Sequence, residues 1–328
     1  MTRIRARMAV LLSCLSAAHG ASAATSCSVT SMTDLAFGNV DPTGTLVDTT
    51  ATLNYRCTFT GILSGSSVTL CFNIGPGSGG TGYTPRTMKA GSESMNFQIY
   101  SDAARNVVWG SSTAPGLPAV TTHMQLSTVL GTTTQNGSLT LYGRVPAGQT
   151  SLAAGAYSSL FTGNGAQMTY NASEGFLGPP AYPATCTGDG SDNFDFQARA
   201  SVASLCRIGT ASDMNFGSAP SNFGANIDQQ STITMTCTRN TAWQVGLDNG
   251  QNALGTTRRM AGGAGRVAYE LYRNSARTQR WGTTLNTDTL TGSGTGLAQA
   301  LTVYGRVAPQ APMPAGAYSD KITVTVTY

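Results

Sequence analysis

Charge is scarce in this chain. Only 10% of its 328 residues are Asp, Glu, Lys or Arg, and several of the basic ones sit at the very start. Arg3, Arg5 and Arg7 precede an apolar stretch from Met8 to Ala18 and a small-x-small pattern at Ala21-Ser22-Ala23, the layout of a signal peptide over residues 1–23. Cleavage there leaves 16 basic residues against 15 acidic ones. That balance excludes the basic footprint on which nucleic-acid binding depends. Long apolar runs are also missing. The signal's apolar core is too short to span a bilayer and no later stretch is longer, so the mature chain from about Ala24 is expected to be soluble after export.

Histidine and glutamate are nearly absent as well. Removing the signal takes His19 with it and leaves His123 alone, which excludes histidine-based triads and multi-histidine zinc sites. A lone loop histidine is simply solvated. Glu93, Glu174 and Glu270 are the only glutamates, and nothing in their spacing marks the pair of carboxylates that glycoside hydrolysis requires. The run Gly75-Pro76-Gly77-Ser78-Gly79-Gly80 satisfies a dinucleotide-binding pattern literally. No helix and no Lys-Ser/Thr follow it, so it reads as a turn. No catalytic residue, cofactor or metal ligand is assigned, and the chain reads as non-enzymatic.

What the sequence does have is glycine, 39 of them, together with cysteine. Cys14 leaves with the signal; Cys27, Cys57, Cys71, Cys186, Cys206 and Cys237 remain, an even number in an oxidising compartment, which reads as disulfides. About 300 mature residues suit two domains with separate cores.

Those two domains are visible as an internal repeat. Cys27 and Cys206 are each followed ten residues later by Phe-Gly, at Phe37-Gly38 and Phe216-Gly217. Residues 84–110 and 256–282 align without a gap, matching Arg86 to Arg258, Met88 to Met260, Tyr100 to Tyr272, Arg105 to Arg277 and Trp109 to Trp281. Leu-Thr-Leu-Tyr-Gly-Arg-Val ending at Val145 matches Leu-Thr-Val-Tyr-Gly-Arg-Val ending at Val307, and Ala-Gly-Ala-Tyr ends at both Tyr157 and Tyr318. We therefore expect a signal peptide over 1–23, a first domain over 24–190 and a second over 191–328. The repeat proposes Cys27 with Cys57 and Cys206 with Cys237, leaving Cys71 for Cys186; sequence alone leaves the other connectivities open.

Within each copy the apolar residues alternate in twos, as in Thr52-Leu53-Asn54-Tyr55, Ile233-Thr234-Met235-Thr236 and residues 322–327. This is the period of half-buried strands, and the Gly, Pro and Asn clusters between them stop any long helix. The fold class is all-β, two antiparallel sandwiches. The paired arginines Arg86 and Arg258, Arg144 and Arg306 are expected to cover sheet edges or pair with Asp. Tyr142 and Tyr304, Tyr157 and Tyr318, Trp109 and Trp281 are expected in the cores.

The order Cys, Phe-Gly, Tyr-Gly-Arg-Val, Ala-Gly-Ala-Tyr-Ser-Asp and a closing Val-Thr-Val-Thr-Tyr resembles the spore coat protein U domain, a family that includes subunits of archaic chaperone-usher pili. The resemblance covers the mature chain twice and is closest over 301–328. It implies immunoglobulin-like sandwiches lacking a seventh strand, which another chain supplies by strand addition. With the sequence stopping at Tyr328, the second domain is expected to be incomplete and to need a donor strand. With Cys27 only a few residues past the cleavage site, no donor extension is expected, which points to a pilus tip. The implied partners are a periplasmic chaperone, an outer-membrane usher, an adjacent pilin subunit and an abiotic or host surface. The segment 193–202 alternates too, and is open to either domain.

The first copy is longer in three places: Gly61-Ile62-Leu63-Ser64-Gly65, Ala114-Pro115-Gly116-Leu117-Pro118-Ala119-Val120, and residues 175–183. In the usual strand order these additions fall at one end of the sandwich. Ile62, Leu63, Leu117, Pro118, Val120, Phe176, Leu177 and Tyr182 are therefore expected to form an apolar pole for surface attachment and biofilm formation. The plain alternative is that these side chains cap the core. Two other functions fit the class: a secreted lectin relying on Tyr83, His123 and Asn164, or a structural coat or matrix component.

Overall fold

The computed structural model describes residues 24–328, and the expected signal peptide lies outside the described residues. The first unit contains β1 (Ala24–Met32), β2 (Leu35–Asn39), β3 (Val47–Ile74), β4 (Arg86–Ala90), β5 (Glu93–Tyr100), β6 (Val120–Val145), β7 (Gly155–Phe161), β8 (Ala166–Phe176), β9 (Gly190–Asn193) and β10 (Phe196–Val202). The second contains β11 (Cys206–Ala211), β12 (Ile227–Cys237), β13 (Ala242–Leu247), β14 (Arg258–Gly262), β15 (Gly265–Tyr272), β16 (Leu290–Ser293), β17 (Ala298–Val307) and β18 (Val324–Thr327). Both are immunoglobulin-like antiparallel sandwiches with separate cores.

The first unit is built on one folded ribbon. β3 and β6 pair from Val47↔Val145 to Phe72↔Val120. The ribbon doubles back between Gly61 and Ser64, so that Tyr55 and Phe72 meet with ring centroids 4.7 Å apart. Its two halves form the two layers, with β1 flanking the first half of β3 and β8 the second. The alternation explains the burial: Leu53, Tyr55, Cys57 and Phe59 point inward, while the intervening polar residues stay at the surface. In both copies the glycine of Tyr-Gly-Arg-Val lets the Phe-Gly strand lie close. A Cβ at Gly143 would meet Leu35 and Phe37 at 2.8 Å, and one at Gly305 would meet Met214 and Phe216.

The open question of residues 193–202 is answered by pairing. β10 lies between β7, antiparallel, and β2, parallel, in the first unit, and β9 pairs with β8. The first unit's sheet thus continues to Val202, beyond the boundary expected at residue 190. Phe196, Ala198, Ala200 and Val202 face inward and are buried.

The second unit has no strand in that place among the described residues. Its segments matching β2 and β7, around Met214–Gly217 and Tyr318–Ile322, are irregular. Met214, Phe216, Tyr318 and Ile322 are half-exposed, where Leu35, Phe37, Tyr157 and Phe161 are buried. The second sandwich is incomplete, with an open groove between these segments.

Disulfides join Cys27 to Cys57, Cys71 to Cys186 and Cys206 to Cys237. Arg144 and Arg306 each bind an aspartate with two hydrogen bonds, Asp48 and Asp228, at 2.7 and 2.8 Å. Arg86 and Arg258 differ from expectation: neither covers a sheet edge, and both guanidiniums are buried. Trp109 and Trp281 are in the cores as expected, their indole N–H groups donating to Phe72 O and Val245 O. Tyr142 and Tyr304 are not; each lies half-buried beneath an arginine, Arg105 at 5.6 Å and Arg277 at 5.7 Å. Tyr157 is buried, but its counterpart Tyr318 borders the open groove.

Candidate functional site

The bend of the β3–β6 ribbon forms the far end of the first unit. What was expected to be a loop at Gly61-Ile62-Leu63-Ser64-Gly65 is a corner within a continuous strand pair. Leu63 takes the left-handed conformation at φ 45° and Gly131, across the ladder, lies at φ 104°. The corner turns outward the side chains that would otherwise alternate. Ile62 and Leu63 from β3 emerge beside Val129 and Leu130 from β6, the last two about three-quarters exposed.

A second apolar projection stands beside this corner. Phe176 pairs with Ser64 at the end of β8, and the Leu177 amide donates to Leu63 O at 2.7 Å. Phe176 is 74% and Leu177 76% exposed. Between the projections lies a notch of about 360 Å³ lined by Leu63, Ser64, Ser127, Thr128, Val129, Leu177, Gly178 and Pro179. The chain beyond Leu177 is tied down along β3. Ser67 Oγ donates to Pro180 O, Thr69 Oγ1 donates to Pro183 O at 2.8 Å, and Cys186 is bonded to Cys71. The projections are held by strand pairing and a disulfide.

The pole carries no charge. Residues 60–65, 127–132 and 175–180 contain no Asp, Glu, Lys or Arg. The nearest acid in sequence, Glu174, accepts a hydrogen bond from Thr25 Oγ1 at 2.7 Å. Six large apolar side chains turned to water at one uncharged end form the kind of patch that marks a contact surface.

Of the eight residues expected at this pole, Ile62, Leu63, Phe176 and Leu177 are together. Leu117, Pro118 and Val120 are not. Val120 faces Phe72, ten positions along β3 from Ile62, which is on the order of 30 Å at the rise of a strand. Val120 packs against the core, and Leu117 is held over Ser111 by a backbone hydrogen bond. Tyr182 lies along the strapped segment against His123, at 4.6 Å between centroids. The three polar candidates are occupied separately. Tyr83 lies 5.3 Å from the Arg86 guanidinium, His123 meets Thr69 and Tyr182, and Asn164 accepts from Gln167. Val129 and Leu130 were missed by sequence reasoning. Like Leu117 they lie between Trp109 and Tyr142, a stretch ten residues longer than its counterpart from Trp281 to Tyr304, and the available signal was two adjacent apolar residues before a glycine.

No group of His, Cys, Asp or Glu among the described residues is arranged to hold a metal. No described helix is long and apolar enough to cross a membrane.

A closed immunoglobulin-like sandwich with an apolar pole is joined to a second sandwich of the same design that lacks, among the described residues, the strand closing the first. The sequence profile of the Spore Coat Protein U domain matches residues 12–164 and 192–325. The chain belongs to this family. No curated protein matches it. Among solved structures it is similar to the CsuC-CsuE chaperone-tip adhesion subunit pre-assembly complex from archaic chaperone-usher Csu pili of Acinetobacter baumannii, with 20% identity over 80% of this chain and 85% of that one and a TM-score of 0.46. It is also similar to the CupB6 tip adhesin of Pseudomonas aeruginosa, at 14% identity over 92% of this chain and 94% of that one and a TM-score of 0.38. CfaE, the adhesive subunit of CFA/I fimbria of enterotoxigenic Escherichia coli, gives 11%, 90% and 80%, and 0.29.

Proposed function

We propose that this protein is the tip adhesin of a chaperone-usher pilus, exported through the periplasm and displayed at the cell surface. The observation that carries the reading is the contrast at β10: the first unit holds a strand of its own between β2 and β7, and the second has a groove there. An open sandwich edge with half-exposed apolar residues is unfavourable in water and prone to pairing with another chain. In this reading the groove takes a strand first from a periplasmic chaperone and then, at the outer-membrane usher, from the adjacent pilin subunit. The closed first unit faces outward, and its apolar pole meets an abiotic or host surface and seeds biofilm.

Two experiments test the two halves of the reading. The full chain is produced in the periplasm with and without its chaperone. It is expected to be soluble only with the chaperone; a chain that is soluble and monomeric alone overturns the strand-accepting role. Cells bearing the fibre are then compared on polystyrene with a variant carrying Ile62→Ser, Leu130→Ser, Phe176→Ser and Leu177→Ser. Attachment is expected to fall by about tenfold or more and to be insensitive to salt up to about 1 M, because the pole has no charge to screen. Unchanged attachment overturns the adhesive role.

A further inference from the structure

In the second unit the end matching the apolar pole is put to another use. The pole of the first unit is where β3 and β6 bend; the corresponding bends of the second unit are residues 238–241, between β12 and β13, and 294–297, between β16 and β17. Into these two bends fits a loop from the base of the first unit. Ala153 makes a parallel bridge with Arg239. The Thr150 carbonyl oxygen lies 1.9 Å from where a Cβ on Gly296 would stand, so the two backbones touch directly at a glycine with φ 80°. Arg239 closes the contact: its Nε donates to Ser151 O and its Nη2 pairs with the Glu93 carboxylate. Both side chains are about 30% exposed. Farther out, Arg207 Nη2 reaches Asp41 at 2.9 Å.

The covalent link is short and also anchored. Only Ala203, Ser204 and Leu205 separate β10 from β11. The Thr238 amide and hydroxyl donate to Leu205 O and Ala203 O, at 2.9 and 3.1 Å. The residue that follows Thr238 is Arg239, so one turn of the second unit grips both the linker and the base of the first.

We infer that Arg239 is a positioning residue that locks the two units at one fixed orientation, with Glu93 as its counter-charge. The Arg207–Asp41 pair contributes less, because Arg207 is 63% exposed and an exposed pair is screened by solvent and salt. The lock belongs to this joint alone. The repeat places Gly265 at the position of Glu93 and Pro220 at that of Asp41, so the base of the second unit carries neither acid. This inference is independent of the adhesive reading and holds for any function of the two units.

The test is a distance distribution between spin labels on Ala104→Cys and Ala276→Cys, equivalent exposed positions of the two units, in the full chain with its three disulfides intact. The parent is expected to give one narrow distribution at low salt. Arg239→Glu is expected to broaden it at least twofold, and adding Glu93→Arg to restore it. Glu93→Gln, the milder change, is expected to broaden it in part. Near-ultraviolet circular dichroism should be the same for all four, since neither side chain lies in a core. A broad parent distribution, or a narrow one that Arg239→Glu and Glu93→Gln both leave unchanged, overturns the inference.

Discussion

The same buried arginine solves two different problems in the two units. Arg86 lies among neutral partners: it donates to Gly75 O, Ile74 O and Trp109 O, and to the Gln98 side chain at 2.6 Å. Burial pushes its guanidinium down to about 10, with Tyr83 opposing slightly. Arg258 donates to the equivalent carbonyls of Asp248, Leu247 and Trp281, but where Gln98 stands it meets Glu270, which also binds Arg280 at 2.8 Å. Burial lowers Arg258 too, while Glu270 holds it up. Two further exchanges follow the same direction. Phe97 becomes Tyr269, and buried Ser159 becomes Asp320, which accepts from the Tyr269 hydroxyl at 2.8 Å. Burial and that carboxylate push the Tyr269 hydroxyl well above its ordinary range. Closed by β10, the first unit uses neutral groups around its buried cation. Open at the groove, the second keeps ionisable groups that water still reaches.

The contrast breaks most violently at β10. Ala198→Asp puts an unpaired carboxylate into the closed core and is expected to destabilise the first unit by more than about 4 kcal/mol. Arg199→Asp, on the outer face of the same strand, should change stability by under about 1 kcal/mol. Urea unfolding of the two variants measures the difference, and equal effects would mean that β10 is not a core strand. Next comes the arginine itself. Arg86→Met strands three carbonyls in a closed interior and is expected to cost about 2–4 kcal/mol. Arg258→Met should cost less, since Glu270, itself 25% exposed, keeps Arg280 as a partner. A larger loss at Arg258 would refute the compensation assigned to Arg280.

Acid sharpens the comparison further. Burial opposes ionisation of Asp248, but the amides of Thr323 and Gly250 and the charge of Arg258 outweigh it and hold the carboxyl below its ordinary 3.8. A carboxyl lowered on folding contributes stability in full above the ordinary value and loses it as pH falls below 3.8 toward the folded value. The first unit has Gly75 in that position. The thermal midpoint of the second unit should therefore fall as pH drops below 3.8, and Asp248→Asn should make that fall shallower while leaving the first unit's acid response unchanged. The smallest effect is expected from Tyr269→Phe, about 1 kcal/mol in the open unit and less where Asp320 is already replaced by Ser. An undiminished loss in the Asp320→Ser background would show that the hydroxyl acts through another partner.

Much of this was legible in the residues. Repetition exposed the two units and proposed the disulfides, and period-two alternation marked the strands, because both follow from local chain chemistry. The pairing of 196–202 was not legible. Phe196, Ala198, Ala200 and Val202 alternate identically whichever sheet receives them, and only the vacancy between β2 and β7 decides. The corner at Gly61 and Gly131 read as an inserted loop because a bent ribbon and a loop share the same composition. That misreading hid Val129 and Leu130 and moved Leu117 to the wrong end. For Arg86 and Arg258 the sequence points to a sheet edge or an Asp partner, because arginine seldom lies buried. Nothing nearby in sequence announces the carbonyls of Ile74 and Trp109 that receive the first of them.

The position of β10 also has a mechanical meaning. It is the last strand of the first unit, and it leaves through three residues into the second. Tension drawn along the chain therefore pulls β10 lengthwise from its Val202 end, against hydrogen bonds to β7 on one side and β2 on the other. That is loading in shear, where the rungs of the ladder must yield together, and not peeling, where they open one at a time. A strand in mid-sheet makes the first unit hardest to unravel along the line of the link to the second.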